Sequence, residues 1–337
     1  RIKGDKMNLD SEITVSMVQT LQSKLYPNKS TASTAAKRNE LNNKKQLDKR
    51  NLEKYLSSID LLIIDEVHEF GDSNKKFGVV NKIKNAKWNL SLSATPFKSQ
   101  STLSSLRVEA LGGGISYEIS ESELVSYGVL ADSKALLLGY KHIDKPIYNI
   151  LSYQELHKRL IINDLGRLEL ISSVIDVCCR LKLKTLIITP SVEQGLSISS
   201  KSGLEFISGN DDMSVRNSTK ENFLESEGGC LVVTDIWKKG ITLPEVEVLI
   251  NAGGGLERSL VLQRRGRILG VTKSKKKALY IDILDLTNHY FNEHSIERIE
   301  AYETKLLKSK INYFDVSELK SIEKIEKYIK SWFNEGK

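Results

Sequence analysis

Leu61-Leu62-Ile63-Ile64-Asp65-Glu66-Val67-His68 is an apolar run that ends in acid. Four aliphatic residues in a row suit a strand buried on both faces of a parallel sheet. Finishing in Asp65-Glu66, such a strand carries two carboxylates to the carboxyl edge of the sheet, where α/β proteins bind their ligands. There Asp65 can hold Mg²⁺ through its water shell, and Glu66 can orient or deprotonate an attacking water. This is the Walker B half of a nucleotide triphosphatase site. A buried strand that merely ends in acid at a loop has the same local pattern, and two motifs further along the chain separate the two.

Ser93-Ala94-Thr95-Pro96 follows the apolar stretch from Trp88 to Leu92, and Gln263-Arg264-Arg265-Gly266-Arg267 comes much later. A D-E-x-H box, then S-A-T, then Q-R-x-G-R, in this order, resembles the superfamily two helicases. The likeness runs from about Ile13 to about Tyr302 and is similar to the Rad25- and UvsW-like branch, phage helicases especially. It is carried there by Ser93-Ala94-Thr95-Pro96-Phe97, by Glu123-Leu124-Val125 followed by Gly128-Val129-Leu130-Ala131-Asp132, and by His294-Ser295 with Arg298 and Tyr302. The resemblance implies an α/β motor of two RecA-like parallel-sheet domains, with ATP in the cleft between them and nucleic acid lying across both.

Position by position, the resemblance implies these roles. Asp65 positions Mg²⁺ and Glu66 activates water. His68, Ser93 and Thr95 couple the nucleotide state to the nucleic-acid groove. Thr14, Gln19 and Thr20 resemble the backbone-contacting segment of the first domain, and Thr189 with Pro190 the phosphate-contacting motif of the second. Val233-Thr234-Asp235 through Gly240 resembles the segment that touches both nucleic acid and the ribose side of ATP. Gln263, Arg264 and Arg267 resemble the final motif, which reaches across the cleft. An arginine arriving there stabilises the γ-phosphoryl transition state, an effect worth roughly 10³–10⁵ in rate, and ties hydrolysis to domain movement. Thr and Ser hydroxyls hold the nucleic-acid backbone without reading bases.

Two departures from the family pattern stand out. Q-R-x-G-R-x-x-R normally ends in arginine, and Gly270 occupies that place. Arg267 is then expected to act alone or with help from a lysine of the run from Lys273 to Lys277. Gly240-Ile241 is followed by Thr242 where family members often carry Asp. The chain also begins with Arg1 and contains no G-x-x-x-x-G-K-S/T phosphate loop; Gly112-Gly113-Gly114 and Gly253-Gly254-Gly255 lack the following lysine. It is therefore read as a fragment whose parent carries roughly 100 more residues upstream, inactive by itself as an ATP hydrolase.

At 337 residues with 40% hydrophobic and 28% charged content, the composition is that of an ordinary globular protein large enough for two domains. No apolar run approaches the roughly 20 residues a bilayer span needs, and a cytoplasmic setting in a bacterium or a phage-infected host is expected. Cys178, Cys179 and Cys230 have no metal-ligand spacing and lie in apolar segments, so buried free thiols are expected. The net charge of +7 suits a polyanionic partner: DNA first, RNA as the other track, with a monomer compatible with the sequence.

Along the chain, Ile13 to Leu21 reads as a strand entering a helix, and residues 28–56 as a loop and a basic, solvated helix. Short β patterns are expected at Leu61–Ile64, Leu90–Ser93 and Ile115–Ile119, with Lys134–Gly139 as a strand leaving the first domain. The stripe Leu168, Ile171, Val174, Ile175, Cys178, Leu181 predicts a helix, and the strand–helix alternation from Thr185 to Leu284 a second parallel sheet. The expected domains are 1–139, the carboxyl-terminal part of the first RecA-like domain; 140–157, a linker; 158–293, the second RecA-like domain; and 294–337, a helical extension. In that extension, Leu319 to Phe333 forms an apolar stripe capped by Asp315 or Ser317, with Glu318 completing a capping box.

Three functions fit these residues: an ATP-dependent translocase that unwinds or remodels branched duplexes in replication, recombination or repair; the motor subunit of a restriction system, although no convincing P-D-x-D/E-x-K nuclease pattern is present; and a catalytically inactive nucleic-acid-binding module.

Overall fold

The computed structural model describes the chain apart from residues 1, 4, 5, 8, 10, 30, 32, 84, 85, 98–101, 143–149, 235–242, 256, 257, 317–320, 336 and 337. The chain divides into two compact units, Arg1–Glu118 and Ile119–Lys337.

In the first unit, β1 (Ile2–Lys3) and β2 (Lys6–Met7) pair antiparallel. Helices α1 (Val18–Leu25) and α2 (Ala35–Leu56) lead to β3 (Leu61–Ile64). Then come α3 (His68–Gly71), α4 (Asn74–Val80), β4 (Trp88–Ser91) and α5 (Thr102–Gly112). Of the 22 residues of α2 only Leu52 and Leu56 are buried, so its basic length is solvated as its composition predicts. Strands β3 and β4 pair in parallel, Leu61 beside Trp88 and Ile64 beside Ser91. Ile64 packs with Val67, Phe70, Val80 and Val108. The opposite face differs from expectation: Leu61 is 52% and Ile63 56% exposed, next to exposed Trp88 and Leu90. A strand with helices on only one face buries alternate residues, and among the described residues nothing covers the other face. Residues 13–15 and 115–119 are irregular rather than extended ladders; among the described residues neither has a neighbouring strand to take up its backbone N–H and C=O groups.

The second unit opens with α6 (Glu121–Ser126), started by a capping box between Ser120 and Glu123, and β5 (Asp132–Tyr140). Helix α7 (Tyr153–Leu156) continues as a π-helical stretch, His157–Ile162, and is followed by α8 (Leu165–Arg180), β6 (Thr185–Thr189) and α9 (Val192–Ser202). Next are β7 (Phe206–Ile207), α10 (Met213–Glu225), β8 (Cys230–Thr234), β9 (Val248–Asn251) and α11 (Arg258–Gly266). The unit closes with β10 (Lys277–Asp285), α12 (His289–Lys305), β11 (Ile311–Asp315) and α13 (Ser321–Asn334). Seven strands form one parallel sheet in the order β11-β5-β10-β9-β6-β8-β7.

Successive residues on each strand feed opposite faces. On β10, Tyr280 and Leu284 join a core with Phe223 of α10, Val261 of α11 and Tyr302 of α12. Leu279, Ile281 and Ile283 join the other core with α8, Ile198 of α9, and Ile325, Ile329 and Trp332 of α13. Both faces are therefore covered, as a parallel sheet requires. The chain crosses from β8 over β6 to β9, which puts the topological switch at the carboxyl ends of β6, β8 and β9.

Three expected boundaries move. The strand expected to leave the first domain, β5, lies inside the second sheet, paired along its length with β10 and flanked by β11. The second unit thus starts near Ile119, not at 158. The tail 294–337 is helical as expected, in the end of α12 and in α13, but it is built into the domain: β11 lengthens the sheet and α13 packs on it, completing the core around Leu136 and Leu138. Asp315 ends β11 rather than capping α13, which begins at Ser321; Ser317 and Glu318 lie outside the described residues. Part of the expected linker, residues 143–149, also lies outside them.

Candidate functional site

In the first unit the parallel pairing of β3 and β4 brings their two carboxyl ends side by side. The Leu92 N–H donates to Ile64 O at 2.8 Å, and the Val67 N–H to Leu92 O at 3.1 Å. Two motifs 25 residues apart thereby meet, with His68 Nδ1 2.8 Å from Ser93 Oγ. Ser93 Oγ also accepts from the Thr95 N–H at 3.1 Å, which folds the Ser93-Ala94-Thr95 turn onto the histidine. Glu66 has a φ of 52°, in the left-handed region that costs a non-glycine residue energy. Its carboxylate Oε2 lies 3.2 Å from His68 Nδ1 while the side chain remains 45% exposed. Asp65 is exposed and one carboxylate oxygen accepts the Glu66 N–H at 3.0 Å, which leaves the other for a ligand.

Among the described residues no group of three or more His, Cys, Asp or Glu side chains converges to hold a metal. A Mg²⁺ that keeps its waters and shares substrate phosphates needs only one or two carboxylates, and the exposed Asp65 fits that use. Thr14 lies before α1 with its hydroxyl buried and without a hydrogen-bond partner among the described residues. On α1, Gln19 is exposed and Thr20 half-buried.

In the second unit Thr189 and Thr234 end adjacent strands, directly opposite one another in register. Thr189 turns inward: its hydroxyl is fully buried and donates to Ser191 O at 3.1 Å and Val233 O at 3.3 Å. The phosphate contact expected of it is therefore not open to that hydroxyl in this arrangement. The Thr234 hydroxyl has no hydrogen-bond partner among the described residues. Asp235 and Gly240, with Ile241 and Thr242, lie outside the described residues.

The Q-R-x-G-R motif spans the end of α11 and the turn after it. Gln263 is half-buried, and Arg264 and Arg267 are buried. Arg264 Nη1 donates to Asn251 Oδ1 at 2.7 Å, and Asn251 Nδ2 donates to Asp282 Oδ1 at 2.9 Å. Asp282 in turn accepts from Arg298 Nε at 2.9 Å and the Tyr302 hydroxyl at 2.8 Å. Arg265, the unassigned position of the motif, forms a buried pair with Glu121 of α6 and donates to Ser133 Oγ at 2.6 Å.

The loop after β9 is clamped by two fully buried arginines. Arg167 Nη1 donates to Ala252 O at 2.6 Å and Arg298 Nη1 to Gly255 O at 3.1 Å. Arg167 is tied by its Nε to Asp285 Oδ1 at 2.9 Å. Burial alone would raise the Asp285 carboxyl, but Arg167 and His142 hold it below its usual range. These anchors, Asn251, Asp282, Asp285 and Arg167, were missed in the sequence. Their signal was there: Asp282 and Asp285 interrupt the apolar run of β10, and acids buried in a strand need cationic partners.

The glycine that replaces the family's last arginine has a steric reason. A Cβ at Gly270 would lie 2.6 Å from Pro244 Cβ and 3.1 Å from Pro244 Cα. Two of the lysines suggested as substitutes are committed elsewhere. Lys275 is buried, donates to Ile268 O and, at 3.1 Å, to Gly270 O, and burial lowers its ammonium to about 8. Lys277 donates to Trp332 O at 2.7 Å.

Residues 1–98 match the profile of the Type III restriction enzyme res subunit, and residues 168–270 that of the helicase conserved C-terminal domain. A protein of Sulfolobus islandicus filamentous virus (isolate Iceland/Hveragerdi) described as helicase 22 is 23% identical over 278 residues, covering 78% of this chain and 49% of the relative. The chain thus spans about half the length of that curated relative. Two solved structures share the fold. The ATP-dependent Type ISP restriction-modification enzyme LlaBIII bound to DNA has a TM-score of 0.53 at 15% identity, covering 79% of this chain and 22% of that one. Dbp5 of S. cerevisiae bound to RNA and ADP BeF3 has a TM-score of 0.51 at 13% identity, covering 80% and 63%.

Proposed function

We propose that this chain, which is superfamily two helicase-like, belongs to an ATP-dependent translocase that moves on DNA and remodels branched duplexes. The hydrogen bond between His68 and Ser93 carries this reading. It joins the carboxylate box to the S-A-T turn, so a change at the nucleotide carboxylates reaches the loop assigned to nucleic-acid coupling. ATP, when bound with Mg²⁺, supplies the phosphoryl group whose transfer to water drives movement. Asp65 holds the cation through water, and Glu66, kept near His68 yet open to solvent, orients the attacking water. Arg264 and Arg267 are assigned to the charge that develops on the γ-phosphoryl group, with Arg264 held in place by Asn251. Thr14, Gln19, Thr20 and Thr234 are assigned to the phosphate backbone; Asp235, Gly240 and Gln263 remain assigned to nucleotide coupling.

Nucleic-acid-stimulated ATP turnover in the full-length gene product tests this, with single-stranded DNA, a four-way junction and RNA as separate activators. Strong stimulation by the junction is expected, and Glu66→Gln should lower turnover at least about 100-fold, the scale of a general base, while leaving nucleotide binding intact. Normal turnover in that variant would remove Glu66 from its role. The match of residues 1–98 to the restriction-enzyme profile favours one second reading, the motor of a restriction system. Copurification with a methyltransferase or a linked nuclease would select it.

A further inference from the structure

Cysteines 51 residues apart in the chain meet in the second unit: Cys179 Sγ, near the end of α8, lies 2.7 Å from Cys230 Sγ, on the first residue of β8. The expectation of three buried thiols holds only for Cys178; Cys179 is exposed and Cys230 half-buried. The backbone brings the two segments that carry them together. Strand β8 pairs with β6 so that Cys230 stands beside Thr185, and the Thr185 N–H donates to Gly229 O at 2.8 Å. The turn out of α8 is closed by the Lys182 N–H on Cys179 O and the Leu183 N–H on Cys178 O, both at 3.0 Å. Gly228, with a φ of 78°, presses so closely on this turn that a Cβ would lie 2.5 Å from Lys182 O.

We propose that Cys179 and Cys230 are an oxidative modification site, a dithiol that a small disulfide of the glutathione type closes into an intramolecular disulfide. Cys179 is the attacking group. It is the accessible sulfur, and the hydrogen bond from Cys230 holds its thiol below the usual range, whereas that same bond and burial push Cys230 up. The Cys179 thiolate attacks one sulfur of the small disulfide and expels a thiolate, leaving a mixed disulfide. Cys230 loses its proton and attacks Cys179 Sγ, expelling the second thiolate. Two protein thiols become one disulfide, and the two electrons and two protons they lose reduce the small disulfide to two thiols. Cys178, fully buried and raised to about 12, takes no part. The bond would form at the amino end of β8, the end opposite Thr234.

The test is to incubate the full chain with glutathione disulfide under native conditions, then measure intact mass and free thiols. The expected product has lost two hydrogens, keeps one of its three thiols, and yields a joined Cys179–Cys230 peptide pair that dithiothreitol separates. Cys230→Ser should stop at a stable mixed disulfide on Cys179, and Cys179→Ser should leave Cys230 unmodified, with circular dichroism verifying that both variants are folded. Persistence of three free thiols in the wild type, or a wild-type product that keeps the glutathione mass, would overturn the proposal.

Discussion

At the scale of single residues, the two departures from the helicase pattern have different standing. Thr242 lies outside the described residues. Gly270 is explained by the 2.6 Å separation that a Cβ would have from Pro244. Restoring the family arginine should therefore harm the fold rather than repair a site. Gly270→Arg is expected to destabilise the protein by about 1–3 kcal/mol, the usual cost of overpacking, seen as a lower urea midpoint with unchanged m-value. A variant as stable as the wild type would show that Pro244 yields freely. His68 and Ser93 were legible in the sequence because each motif sits just past an apolar run, and parallel strands align such ends. Asn251 was not, because what makes it important is a register between β9 and β10 that places it beside Asp282, and register is absent from a string of letters.

At the scale of elements, alternation predicted the helices and strands of the second sheet well, since each strand there is buried on both faces. Assignment of β5 failed for a physical reason: local pattern identifies a strand but not its neighbours, and β5 pairs with β10 and β11, which lie far along the chain. The acid inside β10 yields a test of the network beneath Arg264. Asp282→Asn leaves Arg298 buried without its charge partner, and a broken buried pair costs about 3–5 kcal/mol. Chemical denaturation should show that loss, and a change below about 1 kcal/mol would mean the pair behaves as if solvated.

A second element-scale cluster predicts a pH profile. Asp164 caps α8 and accepts from the Tyr140 hydroxyl at 2.6 Å and the Arg167 N–H at 2.7 Å. Burial would raise its carboxyl, but these bonds and His142 take it down from 3.8 to about 2. An acid lowered on folding contributes stability that is complete above pH 3.8 and is lost as pH falls towards about 2. His142, between Asp164 at 3.4 Å and Asp285 at 3.2 Å, is the opposite case. Burial disfavours its charge, yet the two carboxylates outweigh burial and hold it above its usual 6.5. Its contribution is complete below that value and fades as pH rises through the raised one. Lys275, with its proton leaving near 8, adds stability above that pH and so limits the useful window. Between pH 6 and 8 the urea midpoint of the wild type should fall, and His142→Gln should flatten this limb. A flat wild-type profile over that range would count against a charged His142.

At the scale of the whole molecule, the charge of +7 suits binding to a polyanionic backbone. The affinity of the chain for an oligonucleotide is expected to fall with salt, by roughly 0.9 in log affinity per log salt for each phosphate contacted on duplex DNA. Salt-independent binding would refute the electrostatic account. Among the described residues no helix is long and apolar enough to cross a membrane.

The position of β5 also governs the order of assembly. This strand leaves the ribosome before any other strand of its sheet, yet its ladder partner on β10 is made about 145 residues later. Its run of apolar side chains, Ala135 through Leu138, must wait through the making of those residues without a sheet to enter. A nascent chain halted before β10 would hold β6, β7, β8 and β9 as a pairable group and β5 as an unpaired apolar segment, a ready substrate for a chaperone.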